Sequence, residues 1–227
     1  MEEEIRQIKK QLRMAMNGVV ASSMRQKGVD YHVNFGLTAP LIKRIADTHA
    51  KRRELAELLW NESVRESKIL ATMLYPEDEF SETVARRWFD MLEQPEIADQ
   101  LCYNLAGKQP YATTLALKYT DVPTSIQRYA GFQLLTRALL NKTDLTPEQR
   151  EKLTNDVLTL FLSDEALYIK AAALNSLKRA MRQHPDAARQ ITDIADKVLH
   201  SLPANDTIRN LADELNAERK WLEESIF

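Results

Sequence analysis

Two polar side chains, Asp99 and Arg128, lie near the predicted starts of helices, where they could hold charged groups of a ligand. Asp99 stands one turn into the segment PEIADQLCYNLAG, between apolar Ile97 and Leu101 in the sequence. Helical periodicity nevertheless places it on the face of Tyr103 and not on the apolar face. Arg128 lies at a similar depth in PTSIQRYAGFQLL. In a stack of helix pairs the two side chains could converge on one side. The alternative is a structural salt bridge between neighbouring pairs.

The motifs of common enzyme classes are absent from the sequence. It contains no HExxH pair, no glycine-rich phosphate loop and no serine in a GxSxG turn. Cys102 is the only cysteine, and its surroundings in the sequence predict a buried structural thiol. Metal-ligand spacing is also missing among the four histidines, which are His32, His49, His184 and His200. We therefore predict no metal and no cofactor.

The elements that must position Asp99 and Arg128 are helices. From about Thr38 onward, helices joined by short loops form pairs that recur roughly every 40 residues. The chain has five glycines, and no run of residues alternates as a strand would. This pattern predicts an all-α fold, a HEAT-like repeat superhelix (α-solenoid) of stacked antiparallel helix pairs with one concave face.

The same pattern predicts one domain over residues 1–227, because no segment has the composition of a linker. Its predicted parts are an N-terminal helical cap (1–30), the repeats (36–184) and a C-terminal helical pair (185–227). Within the cap, one helix is expected over residues 2–17, ending before the serine-rich stretch at Ser22 and Ser23.

Local signals predict several helix starts and part of the core. Thr38 is expected to be an N-cap, and Thr146 is followed by a proline and an acid, as at many helix starts. Residues 63–66 (SVRE) have the form of a capping box, in which Ser63 and Glu66 would close one helix start. Two tryptophans, Trp60 and Trp88, lie on apolar helix faces and are predicted to pack in the core.

Charge is unevenly distributed along a chain whose net charge is −2. Residues 122–182 carry nine basic and six acidic side chains, whereas residues 183–227 carry five and nine. A net charge near zero argues against a general nucleic-acid binder, although a basic concave face remains compatible with it. The acidic N-terminus lacks the features of a signal peptide, and no apolar run could span a membrane, so a cytoplasmic protein is expected.

Five segments in order resemble the DNA alkylation repair family, the alkylpurine DNA glycosylases with HEAT-like repeats. The resemblance runs from about Gly36 to His184. The segments are FGLTAP with Lys43 and Arg44 after it, LAELLWNESVRESKILA, WFDMLEQPEIADQLC, SIQRYAGFQLL and YIKAAALNSLKRAMRQHP.

The resemblance implies that a concave cleft cradles duplex DNA and that cationic N3- or N7-alkylated purines are removed from it. It implies that Asp99 is the catalytic carboxylate, which would stabilise positive charge on the deoxyribose, and that Arg128 holds a phosphate. Lys170, Lys178 and Arg179 are predicted supporting contacts to nucleic acid, because they lie in the basic segment 122–182.

The chain departs from the family where the resemblance implies aromatic side chains in the cleft. The two tryptophan positions are occupied by Pro95 and Asn175, and a tyrosine position falls near Ser23. Loss of cation–π contacts predicts weak or no excision. The alternative function is a non-catalytic scaffold whose cleft binds a protein partner, which the acidic last 45 residues favour. A positive groove around Asp99 would indicate DNA, and an apolar or acidic groove would indicate a protein.

Overall fold

The computed structural model describes residues 1–29, 31–183, 185–200 and 206–225, which form helices and no strand. The single β-type contact among them is an isolated bridge between Val33 and Val64. The predicted boundaries at Asp30, His184 and Phe227 lie outside the described residues. The α-helices are α1 (Glu2–Met14), α2 (Gly18–Gln26), α3 (Ala39–Ala46), α4 (Arg53–Trp60), α5 (Arg65–Leu74), α6 (Glu82–Asp90), α7 (Pro95–Asn104), α8 (Ala112–Tyr119), α9 (Ser125–Leu140), α10 (Pro147–Leu162), α11 (Leu167–Met181), α12 (Pro185–His200) and α13 (Asp206–Ser225).

The helices form two compact units, residues 1–109 and 110–227. In the second unit α8 packs on α9, α10 on α11 and α12 on α13. Neighbouring pairs then stack, first helix on first helix (α10 on α12) and second on second (α9 on α11, α11 on α13). This is the predicted arrangement of stacked helix pairs. The single domain over 1–227 stays a prediction.

An aromatic cluster forms part of the core of the first unit. Trp60 at the end of α4 and Trp88 in α6 are buried, and their rings stack with centroids 4.0 Å apart and planes 3° from parallel. Tyr75 and Phe80 meet the Trp88 ring edge-on, each with its centroid 5.4 Å away. Aromatic pairs of this kind add stability beyond the area they bury. The prediction that both tryptophans belong to the core is confirmed.

The N-terminal segment differs from its prediction. α1 ends at Met14, and α2 begins at Gly18, so that Ser22 and Ser23 lie within a helix and not in an interruption. Asn17 makes this start possible, because its side chain accepts a hydrogen bond from Val20 N. The serines disfavour a helix interior only weakly, and this cap outweighs them.

Candidate functional site

Asp99 lies in the middle of α7, a helix of the first unit. Pro95 occupies the first turn of this helix, where its missing N–H costs nothing. Ile97 and Leu101 point into the core, whereas Asp99 is half-buried and Tyr103 is 60% exposed. The helical phase predicted from the sequence is therefore correct, and the Asp99 carboxylate lies one turn from an exposed aromatic ring.

Arg128 lies in the first turn of α9 in the second unit and has a carboxylate partner. Its Nη1 is 2.8 Å from Oε2 of Glu165, and its Nε donates to Val122 O at 2.9 Å. Ser125 Oγ donates to both oxygens of the same carboxylate, at 3.0 and 3.1 Å. The side chains of Arg128 and Glu165 are only 19% and 15% exposed. The salt bridge between neighbouring helix pairs, weighed above as the alternative, is thus present in the structure.

The three supporting cations lie on α11, also in the second unit. Lys170 folds back to donate to Ser163 O at 2.7 Å, and Lys178 Nζ lies 2.6 Å from Oε1 of Glu214 in α13. Arg179 is half-buried. Within the described part of the chain no carboxylate forms an ion pair with Lys170 or Arg179. The structure therefore brings Lys170, Lys178 and Arg179 onto one helix but leaves them in different electrostatic surroundings.

The sequence analysis missed the acidic partners of Lys178 and of its neighbour Arg182. Arg182 donates from Nε to Oε1 of Glu218 at 2.6 Å, and its guanidinium lies 5.4 Å from the centre of the Trp221 ring. The sequence separations of the pairs Lys178–Glu214 and Arg182–Glu218 are both 36 residues. That separation is close to the repeat length, so a search for opposite charges one repeat apart would have found both pairs.

A buried ionic cluster in the first unit was also missed. Arg65 is 2% exposed, and its guanidinium contacts Glu66 at 2.9 Å and Glu96 at 2.5 and 2.7 Å. Tyr31 donates its hydroxyl to Glu96 at 3.0 Å. Burial alone would lower the pKa of Arg65, but the hydrogen bonds and charges of the two carboxylates outweigh it and raise that pKa. Burial and then the charge of Glu96 raise the pKa of the Tyr31 phenol.

The capping box predicted at residues 63–66 is wrong. Val64 is the N-cap of α5, and no side chain caps this helix start. Glu66 is fully buried and instead accepts hydrogen bonds from Phe35 N at 3.0 Å and Leu37 N at 3.2 Å. The carboxylate therefore satisfies the backbone of a distant loop, which a pattern of four consecutive residues could not indicate.

A polar cleft of about 200 Å³ lies beside this cluster, with Tyr31, Lys68 and Glu93 among its lining residues. Lys68 donates to Trp60 O at 2.8 Å and lies 5.2 Å above the Trp60 ring. Burial lowers the pKa of Lys68, and the charge of Glu93 partly opposes this effect. The ammonium group closes the end of α4, which is a structural role.

Asp99 therefore belongs to the first unit, and the four predicted cations belong to the second. Among the described residues no group of three or more His, Cys, Asp or Glu side chains could hold a metal ion. No helix in the described part of the chain has the length and apolar character needed to cross a membrane. The predicted site residues are thus one half-buried carboxylate, Asp99, and four cations. Three of these cations already have a partner in the protein: Arg128 and Lys178 pair with carboxylates, and Lys170 donates to a backbone carbonyl.

Comparison with known proteins supports the resemblance. A family model described as "DNA alkylation repair enzyme" matches residues 8–211. Among solved structures the chain is similar to one described as "A new family of proteins related to the HEAT-like repeat DNA glycosylases with affinity for branched DNA structures", with a TM-score of 0.72, 17% identity and 94% of each chain covered. At this identity the likeness shows the fold, and it confirms the predicted HEAT-like repeat architecture. Curated proteins gave no match. Because the family model spans most of its length, the chain belongs to the DNA alkylation repair enzyme family.

Proposed function

We propose that this protein binds duplex DNA in a concave cleft, with Arg128 as the main phosphate contact and Asp99 as the carboxylate beside the deoxyribose. The observation that carries the proposal is the family match over residues 8–211, which includes both side chains. Lys170, Lys178 and Arg179 provide further contacts to the backbone. Excision of cationic alkylated purines is weak, because Pro95 and Asn175 stand where the family resemblance implies tryptophans.

The chemistry assigned to Asp99 is electrostatic. An alkylated purine carries positive charge, and the sugar becomes cationic as the glycosidic bond breaks. A half-buried carboxylate stabilises such charge more strongly than one in water, because the surrounding dielectric constant is lower. The position of Asp99 on α7 fits this role, since its side chain lies at the edge of the core and not within it.

The decisive experiment measures release of methylated purine from alkylated duplex DNA by wild type and Asp99→Asn. We expect slow release by wild type and at least about tenfold slower release by Asp99→Asn, a loss of roughly 1.4 kcal/mol in transition-state stabilisation. Binding to the same DNA should not weaken, because the substitution keeps the size of the side chain and removes a negative charge that would repel phosphates. Rapid release at the same rate by wild type and Asp99→Asn would show that another residue supplies the catalytic group.

If the wild-type protein releases no detectable purine, a gain-of-function variant can still test the role assigned to Asp99. Pro95→Trp with Asn175→Trp restores two aromatic faces, each worth about 0.5–2 kcal/mol in contact with a cation. Excision should then rise by about fivefold or more if Asp99 is correctly assigned. The same double variant carrying Asp99→Asn is the control, and it should lose the gain.

The second candidate function is a scaffold that binds a protein in the same cleft. It is favoured by the carboxylates that already occupy Arg128 and Lys178, since these leave less positive charge for a phosphate backbone. Direct binding to linear and branched duplexes of equal length separates the two candidates. No binding of either duplex at about 50 mM salt, where phosphate contacts are strong, would favour the scaffold.

A further inference from the structure

The second unit carries a two-step ion-pair ladder between α11 and α13. Lys178 lies in the last turn of α11, and Arg182, four residues later, is the C-cap of that helix, whereas Glu214 and Glu218 lie one turn apart on α13. Each cation contacts one carboxylate at 2.6 Å. Residues four apart face the same side of a helix, so the two pairs form one continuous strip.

The ladder is held in place by apolar packing beneath it. Leu211, Leu215 and Leu222 of α13 are buried, so the helix is anchored independently of its charges. Trp221 adds a cation–π contact to Arg182. The acidic side chains are therefore presented to α11 by a fixed helix, and only the side chains themselves need to move when a competing anion arrives.

Carboxylate and phosphate oxygens make the same charge-assisted hydrogen bonds to lysine and arginine. Lys178 belongs to the predicted DNA-binding set, is only 21% exposed and forms an ion pair with Glu214. Arg182 follows four residues later as the C-cap of the same helix, and its partner Glu218 is 10% exposed. A DNA backbone that approaches this strip must displace two carboxylates that do not leave the protein.

We infer that α13 is an intramolecular competitor of DNA: Glu214 and Glu218 occupy the two cations at the C-terminal end of α11 that would otherwise bind backbone phosphates, and they lower the affinity of the protein for DNA. This inference rests on the proposed function. It adds Arg182 to the phosphate contacts, and it assigns the acidic C-terminal residues a role in setting affinity.

The test compares two double variants of the full chain with identical net charge. Glu214→Gln with Glu218→Gln neutralises the ladder. Glu223→Gln with Glu224→Gln neutralises two exposed acids of the same helix, whose nearest cations, Arg219 and Lys220, lie 3.9 Å away. Binding to a fluorescent duplex is measured from about 50 to 200 mM salt, and thermal unfolding of each variant is recorded.

The ladder variant should bind duplex DNA about tenfold more tightly than the control variant at low salt, and its log–log salt dependence should be steeper by up to about 2 units, since two more phosphates can be neutralised. Equal affinities of the two variants would show that only net charge matters, and they would overturn the inference. The proposed function would still be tested separately by Arg128→Ala.

Lys178→Gln provides a second measurement if the ladder variant is poorly folded. The inference requires that Lys178→Gln weakens DNA binding more in a Glu214→Gln background than in wild type, because there no carboxylate competes with phosphate for the lysine. Equal losses in the two backgrounds would overturn it. Absence of DNA binding by wild type and all variants would overturn both the inference and the proposed function.

Discussion

The guanidinium of Arg128 has a carboxylate partner, so its role can be tested in two directions. If it binds phosphate, Arg128→Ala should weaken DNA binding similarly for all sequences and reduce the salt slope by about one unit. Glu165→Gln should strengthen binding, because it removes the competing charge at 2.8 Å. Binding titrations at several salt concentrations measure both. If both variants lose stability and neither changes affinity, Arg128 serves only as a structural salt bridge.

At the same scale, Arg65 is expected to be essential for the stability of the first unit. Arg65→Met leaves the fully buried Glu66 carboxylate without its cation, and removal of one partner from a buried pair costs about 3–5 kcal/mol. Arg6→Met is the matched control, because its pair with Glu3 is exposed and should contribute less than about 1 kcal/mol. Urea unfolding of both variants measures the difference. Similar losses would mean that the cluster is better solvated than its burial indicates.

Helix packing depends on close approach at one glycine. Gly131 in α9 faces the end of α8, and a Cβ there would lie 2.7 Å from the backbone carbon of Tyr119 and 2.9 Å from Thr120 N. Backbone atoms cannot move aside as a flexible side chain can. This glycine therefore permits α8 and α9 to pack as a tight pair, and it does so with an ordinary helical backbone.

Gly131→Ala should consequently destabilise the protein by about 1–3 kcal/mol, the range found for overpacked cores. Gly18→Ala is the control, since nothing lies within 4 Å of the added methyl group and alanine favours a helix. Its stability should be unchanged or slightly higher. Thermal unfolding compares the two, and a neutral Gly131→Ala would show that α8 and α9 can separate without cost.

On the scale of the whole molecule, the charge balance limits how strongly DNA can be held. The net charge is −2, and four cations are predicted to contact the backbone. Each neutralised phosphate contributes about −0.9 to the log–log salt slope, so wild type should show a slope no steeper than about −4. Titration of a 20-base-pair duplex over a range of salt concentrations measures this value. A much steeper slope would mean that cations outside the predicted set carry the interaction.

Local signals in the sequence were sufficient for most of the helices. The helix start predicted at Thr146 is confirmed, since α10 begins at Pro147 and Thr146 forms a capping box with Gln149. Burial of Trp60 and Trp88 also followed from helical periodicity. These features depend on residues within a few positions of one another, because caps, prolines and apolar spacing act over one or two turns.

Tertiary structure alone decided which charges meet. Glu66 stabilises a loop 29–31 residues away, and Glu165, Glu214 and Glu218 pair with cations 36 or 37 residues away. Composition shows that acids and bases are present, but the register between stacked helices determines which carboxylate lies opposite which cation. The sequence by itself therefore determined the helices, the repeat and the candidate residues. Contacts between repeats decided that Arg128 and Lys178 are paired with carboxylates. No local pattern in the sequence encodes these contacts.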